Sequence, residues 1–331
     1  MIITRTPYRI SFFGGGTDYP AWYKKHGHGA VLSTTINKYC YLNCRSLPPF
    51  FRHKYAINYS KRELTKNIES IKHPAVRESL NFVKPDTGIE LHHAGDLPKM
   101  SGVGSSSAFT VGLLNALYSL RGEMKTKREL ALNAIHIEQK LIGENVGSQD
   151  QTSAAFGGLN KIDFGGPQEI IVNPVVIKPE KLEEFRGNLM LYFTNLARDG
   201  TKIAKNWIKN TDRNKSYLKK MLEMVDEGSS ILMSKDLDDF GRLLNEGWEI
   251  KKKLADNITN SKIDTIYERA MRNGALGGKL LGAGGGGFLL FYVPLDAQAR
   301  IKETLKKFIH VPFKFDNLGT QVIYYAPQSH I

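Results

Sequence analysis

The stretch Ser101-Gly102-Val103-Gly104-Ser105-Ser106-Ser107-Ala108 constrains this chain more than any other. Two glycines and a run of serines sit directly before Phe109-Thr110-Val111-Gly112-Leu113-Leu114-Asn115-Ala116-Leu117, which reads as a mostly apolar helix. The first amides of a helix have no partner inside it, and the helix dipole places positive potential at that end. Glycines in front of those amides let the backbone come close to an anion. The pattern therefore predicts a phosphate site. A single serine here would read as an N-cap, but three in succession behind Gly-x-Gly exceed what capping requires.

Two common nucleotide motifs are excluded. G-x-x-x-x-G-K-[ST] does not occur, and Gly278-Lys279 is followed by Leu280, which has no hydroxyl for a metal. A formal G-x-G-x-x-G occurs at Gly282, Gly284 and Gly287. Phe288-Leu289-Leu290-Phe291-Tyr292-Val293 behind it reads as a buried strand, where a dinucleotide fold needs a helix.

At 331 residues the chain has ample core for one large domain or two ordinary ones. No apolar run approaches the roughly 18–20 residues that cross a bilayer. The first residues lack the basic-then-apolar layout of a signal peptide. Cys40 and Cys44 are the two cysteines, expected as reduced core thiols, and a cytoplasmic protein is expected. The net charge of +13 raises nucleic acid as a partner, yet no recognised nucleic-acid motif accompanies it. Solvated helix faces account for most of the bias, and an enzyme handling polyanionic ligands is compatible with it.

Alternation predicts strands over 2–13 and 29–46, with helical spacing over 60–83 broken at His73-Pro74. A strand at 88–94 leads into the serine loop. Helices follow at 105–121 and 126–143, the second opening with Thr126 as N-cap and Glu129 at the capping-box position. A hairpin is expected around Gly165-Gly166-Pro167. Residues 188–194 begin a second block, with helices near 200–210, 214–234, 236–255 and 261–273. Strand and helix then alternate through 276–282, 287–293, 295–309 and 311–325. The domain division is expected near 186, giving 1–186 and 187–331.

Three further constellations carry chemistry. In Arg9-Ile10-Ser11-Phe12-Phe13-Gly14-Gly15-Gly16-Thr17-Asp18, a strand bearing Arg9 runs into three glycines, and Asp18 can accept from sugar hydroxyls. Glu138 lies late in a helix, and Asp150 follows a glycine-punctuated turn. One carboxylate can hold a hard cation while the other faces an acceptor hydroxyl, the division of labour of a kinase. Taken singly, each has an ordinary structural role as a turn cap or a helix-surface acid. Finally, Gly282-Ala283-Gly284-Gly285-Gly286 lets backbone crowd against a ligand or another loop.

These four segments in this order resemble the GHMP kinase superfamily, and the resemblance covers essentially the whole chain. It implies an α+β, two-domain fold, with a ribosomal-protein-like N-terminal domain and a ferredoxin-like C-terminal domain around the active site. The triple glycine before Thr17-Asp18-Tyr19 looks like the bacterial D-glycero-D-manno-heptose 7-phosphate kinases and, more distantly, the kinase part of fucokinases. Galactokinases carry Gly-Glu-His there.

The resemblance implies an ATP-dependent sugar-1-kinase for surface polysaccharide biosynthesis. ATP would lie over Ser101, Gly102, Val103, Gly104, Ser105, Ser106 and Ser107. Mg²⁺ would be held by Ser106 and Glu138, and Asp150 with Arg9 would act at the anomeric hydroxyl. Gly15, Gly16, Thr17, Asp18 and Asp150 are the expected sugar contacts. Arg198 is a candidate for the sugar's own phosphate. The expected partners are ATP and a sugar phosphate, with no specific nucleic acid and no membrane; the oligomeric state is not legible. A kinase for a free sugar is the nearest rival, and a catalytically silent ATP- and sugar-binding scaffold is the rival from another class.

Overall fold

The computed structural model describes residues 1–196, 213–234 and 236–327. Two sheets organise them. The larger, nine-stranded sheet runs β13(Gln321–Tyr325)-β1(Ile2–Phe13)-β2(Gly29–Leu47)-β5(Gly88–Gly95)-β3(Tyr55–Asn58)-β4(Arg62–Thr65). β6(Asn160–Phe164), β7(Ile170–Pro174) and β12(Phe315–Asp316) extend it through β2. The smaller, four-stranded sheet is ordered β11(Ile309–His310)-β8(Leu189–Phe193)-β10(Phe288–Tyr292)-β9(Gly277–Leu280). Helices pack against both, giving the α+β fold expected from the sequence.

The strand β1 positions the site. It is buried along nearly all its length because β2 and β13 flank it and the helix α3(Ser105–Leu120) lies across it. Its register against β2 shifts between Pro7 and Tyr8, where proline has no N–H to give the ladder, and again between Ser11 and Phe13. At its end Phe12 and Phe13 enter an aromatic cluster with Phe185 and Phe240, centroid separations running from 4.7 to 5.5 Å. Phe240 belongs to the helix Asp238–Lys252, so this cluster ties β1 to the smaller sheet's side of the molecule.

Several expectations are corrected. The tract 60–83 is not one broken helix. It holds β4, a short turn of 3₁₀ helix at Ile68–Ser70 and the helix Pro74–Val83. β4 was hidden because this edge strand buries Glu63 and exposes Leu64, the reverse of the apolar-in alternation that marks a strand. The helix expected over 126–143 begins with the Thr126–Glu129 capping box, but runs as Lys127–His136 and then widens into a π turn at Ile137–Leu141. Such widenings concentrate at functional sites, and this one carries Glu138. The last strands, β12 and β13, return to the larger sheet, so a division at residue 186 does not separate the two sheets. Cys40 and Cys44 are buried free thiols. No helix among the described residues is long and apolar enough to cross a membrane.

Candidate active site

The serine loop folds as a glycine-built turn. Met100, Gly102 and Gly104 all have positive φ, and Gly104 is the N-cap of α3. With glycine at that position, no side chain caps the helix. The serines are spent elsewhere: Ser105 Oγ accepts from the Met100 amide, Ser106 is exposed, and Ser107 is buried. The first-turn amides of a long helix are thus left uncapped by side chains beside a cleft, as an anion site requires.

Arg9 and Asp150 meet beneath that turn. Arg9 is 4% exposed, and its Nε and Nη2 donate to the two Asp150 carboxylate oxygens at 2.7 and 2.9 Å. Its Nη1 donates to Gly102 O at 2.5 Å, and its amide to Val103 O at 3.0 Å. One guanidinium therefore fixes the carboxylate and the phosphate turn in a single bidentate arrangement. Asp150 sits in the first turn of the helix Gln149–Phe156.

These residues line a cleft of about 360 Å³, together with Gly15, Gly16, Ser105, Ser106, Gly282 and Ala283. The size suits a nucleotide-sized or sugar-sized ligand. Ser11 and Gln149 also line it, and the sequence reading missed both. Ser11 Oγ and Gln149 Oε1 are buried and accept or donate no hydrogen bond. A Cβ placed on Gly15 would lie 3.8 Å from Gln149 Nε2 and 4.0 Å from Ser11 Oγ, so the two side chains flank that glycine. The missed signals were local: Ser11 is two residues from Arg9 on one strand face, and Gln149 adjoins Asp150. Glu144, Lys251 and Lys279 line the cleft as well. Burial pushes the Glu144 carboxyl up.

Three of the expected contacts are also held by other parts of the fold. Thr17 does not line the cleft. It is fully buried, donating to Gly14 O and Ala30 O and accepting from the Ala30 amide, because the turn must be pinned to β2. Asp18 reaches the cleft wall, but its carboxylate accepts from the Gly16 amide at 2.8 Å and the Gln149 amide at 3.3 Å. It therefore clamps the triple-glycine turn to the helix that carries Asp150. Burial, with Asp150's charge adding to it, pushes the Asp18 carboxyl up to about 6. Gly147 is obligatory beside it, since a Cβ there would lie 1.8 Å from Asp18 Oδ2.

The third, Glu138, lies wholly buried behind the serine loop and does not line the cleft. Ser107, not Ser106, touches it, donating to Oε2 at 2.8 Å, and Gln151 Nε2 donates to the same oxygen. Burial pushes this carboxyl up to about 7. Its Oε1 is buried with no hydrogen-bond partner. Among the described residues no group of three or more His, Cys, Asp or Glu side chains forms a metal cage. The donor set fits a hard cation that arrives already chelated by phosphates: Glu138 offers an orphaned carboxylate oxygen, and Ser107, which holds its other oxygen, adjoins the exposed Ser106 in the first helical turn. Arg198 lies outside the described residues.

The glycine-rich segment 282–286 closes the cleft from the smaller sheet. Gly282 and Ala283 line it. Gly284 packs on Ile258, and a Cβ on Gly286 would lie 2.5 Å from Leu196 O. Gly287 abuts Ser101, whose carbonyl accepts from the Phe288 amide at 3.2 Å. The two glycine-rich turns are therefore in direct backbone contact.

Comparison with known proteins shows the family. A family model described as GHMP kinases N terminal domain matches residues 56–158, and one described as GHMP kinases C terminal matches 229–311. The D-glycero-alpha-D-manno-heptose 7-phosphate kinase of Campylobacter jejuni is 32% identical over 92% of this chain and 93% of that protein. The bifunctional fucokinase/GDP-fucose pyrophosphorylase of Arabidopsis thaliana is 26% identical over 94% of this chain and 31% of its own length. The crystal structure of a D-glycero-D-manno-heptose 1-phosphate kinase from Bacteroides thetaiotaomicron superposes with a TM-score of 0.79 at 24% identity, covering 98% of this chain and 100% of that one.

Proposed function

From the premise that this chain belongs to the GHMP kinases, ATP-dependent enzymes that phosphorylate a hydroxyl, we propose that its acceptor is the anomeric hydroxyl of D-glycero-D-manno-heptose 7-phosphate. The product would be the 1,7-bisphosphate, used toward surface polysaccharide. The observation that carries the reading is the Arg9–Asp150 pair, joined to the serine loop through Gly102 and flanked by the unpartnered oxygens of Ser11 and Gln149. A polyhydroxylated acceptor supplies hydroxyls for such oxygens, and leaving them unmet in a filled cleft is costly.

In this reading the ATP triphosphate lies against residues 102–107, and the free amides of α3 receive its oxygens. Each Asp150 oxygen keeps a lone pair beyond the one given to Arg9, so the carboxylate accepts the anomeric O–H. The new O–P bond forms to the γ-phosphorus, the bond to the β-phosphate oxygen breaks, the hydroxyl proton passes to Asp150, and ADP leaves. Arg9 stabilises charge on the transferred group while holding Asp150 in place. Mg²⁺, held by Ser106 and Glu138 together with the phosphates, would offset charge on the β- and γ-phosphates.

The test is ADP release by the purified protein with Mg·ATP and D-glycero-D-manno-heptose 7-phosphate, fucose, galactose or no acceptor. Turnover with the heptose phosphate and not the free sugars is expected; preference for a free sugar removes the substrate assignment. Asp150→Asn is expected to lower kcat by about 10³-fold or more while ADP affinity stays within about twofold, because phosphoryl transfer depends on positioned charge. Near-normal turnover in that variant removes Asp150 from the chemistry.

A further inference from the structure

Lys279 is a cleft residue that the mechanism above does not use. It stands on β9, is 7% exposed, and lines the cleft. An ammonium carries three donors, and one goes to Phe12 O at 2.5 Å. Among the described residues no carboxylate lies within ion-pair distance of it. The charge that acts on it is Arg9, which has the same sign. Arg9 is already matched by Asp150, held through both carboxylate oxygens. A buried ammonium beside a second cation, with no acid of its own, is unfavourable unless something else supplies negative charge. Consistent with that, burial and Arg9 together push the Lys279 pKa down to about 7.

We infer that Lys279 receives an oxygen of a phosphoryl group bound in the cleft. Two sources share this chemistry: the γ-phosphate of the nucleotide and the phosphate ester of a phosphorylated sugar. The inference rests on the kinase reading for the identity of those ligands. The competing role is a strut, in which Nζ only ties β9 to β1 through Phe12 O.

The experiment compares wild type with Lys279→Met and Lys279→Arg by calorimetric titration, with thermal unfolding checking that each is folded. Two affinity ratios are read: Mg·AMPPNP over Mg·ADP, and D-glycero-D-manno-heptose 7-phosphate over the unphosphorylated heptose. Lys279→Met is expected to lower one ratio by about tenfold or more, as loss of a charge-assisted contact does, and Lys279→Arg to recover part of it. A fall in the first ratio assigns the nucleotide, and a fall in the second assigns the sugar phosphate. If both ratios hold within about twofold, or phosphorylated and unphosphorylated ligands weaken equally, Lys279 is a strut and the inference is overturned. Should Lys279→Met not fold, Lys279→Gln carries the same two ratios. A wild type that turns over no sugar defeats the substrate assignment, yet the nucleotide ratio still reads Lys279.

Discussion

Two glycine-rich turns meet at this cleft, and they use glycine for opposite reasons. In the serine loop, a Cβ on Gly104 would lie 3.1 Å from Arg9 Cγ and 3.4 Å from Asp150 Oδ2, both side-chain atoms able to yield. Glycine there supplies the left-handed backbone, φ +73°, that turns helix amides toward the cleft. In the second turn, a Cβ on Gly287 would lie 2.1 Å from the Ser101 carbonyl oxygen, and that backbone has nowhere to go. One turn is shaped to present its amides to the cleft and the other to fit against a neighbouring backbone. A glycine count cannot separate the two uses; the identity of the nearest atom can.

The largest effect that follows is at Gly287. Gly287→Ala meets a backbone oxygen at φ +101°, so stability is expected to fall by about 3 kcal/mol or more, with turnover lost alongside it. Urea unfolding measures this, and a stable Gly287→Ala protein would break the contrast. Gly104→Ala is expected to cost only about 1 kcal/mol of backbone strain, while kcat falls about tenfold or more as the phosphate turn shifts. Equal losses of stability at the two positions would again remove the distinction.

Gly15→Ala sharpens the comparison further, since a Cβ there meets no atom closer than 3.8 Å. Stability should change by less than about 1 kcal/mol. Acceptor KM should rise severalfold with kcat little altered, because the methyl group stands between Ser11 and Gln149. Steady-state kinetics on the acceptor reads this directly.

The smallest effect is on pH dependence in the ligand-free protein. The Asp18 carboxyl is raised from its ordinary 3.8 to about 6, with Asp150 the neighbouring charge. The folded state holds that proton more tightly, so stability is lost as pH rises from about 4 to 6. The Lys279 ammonium is lowered from 10.5 to about 7, with Arg9 the neighbouring charge. The unfolded state holds more protons between 7 and 10.5, so stability is regained as pH rises through that window. Unfolding free energies across pH 4–10 should therefore dip between 6 and 7. The Glu138 carboxyl, raised from 4.5 to about 7, adds to the acid limb, so Asp18→Asn should lessen that limb's slope without abolishing it, while Lys279→Met should flatten the alkaline one.

The legible part of the site was the part written in contiguous residues. Gly-x-Gly before three serines and an apolar helix gave the phosphate turn, and the ordered glycine motifs gave the two-domain family fold. Thr126 and Glu129 gave a helix start, because capping is a matter of residues three apart. The positions that misled were those whose roles depend on distant neighbours. Thr17 read as a sugar contact because its side chain can bond hydroxyls, yet Gly14 and β2 take that capacity, and Asp18, which reaches the cleft wall, also clamps the triple-glycine turn through the Gly16 and Gln149 amides. Glu138 read as a cation ligand beside Ser106, and the π turn that carries it sets it against Ser107.

The sequence by itself determined which backbone would be left open to an anion, since uncapped amides and glycine conformations are local properties of a few adjacent residues. Only the tertiary structure decided which side chains reach that anion. Arg9 and Asp150 are 141 residues apart, and Lys279 and Phe12 are 267 apart. Their meeting depends on strand register and on the packing of one sheet against the other, and neither is encoded in the spacing of any motif.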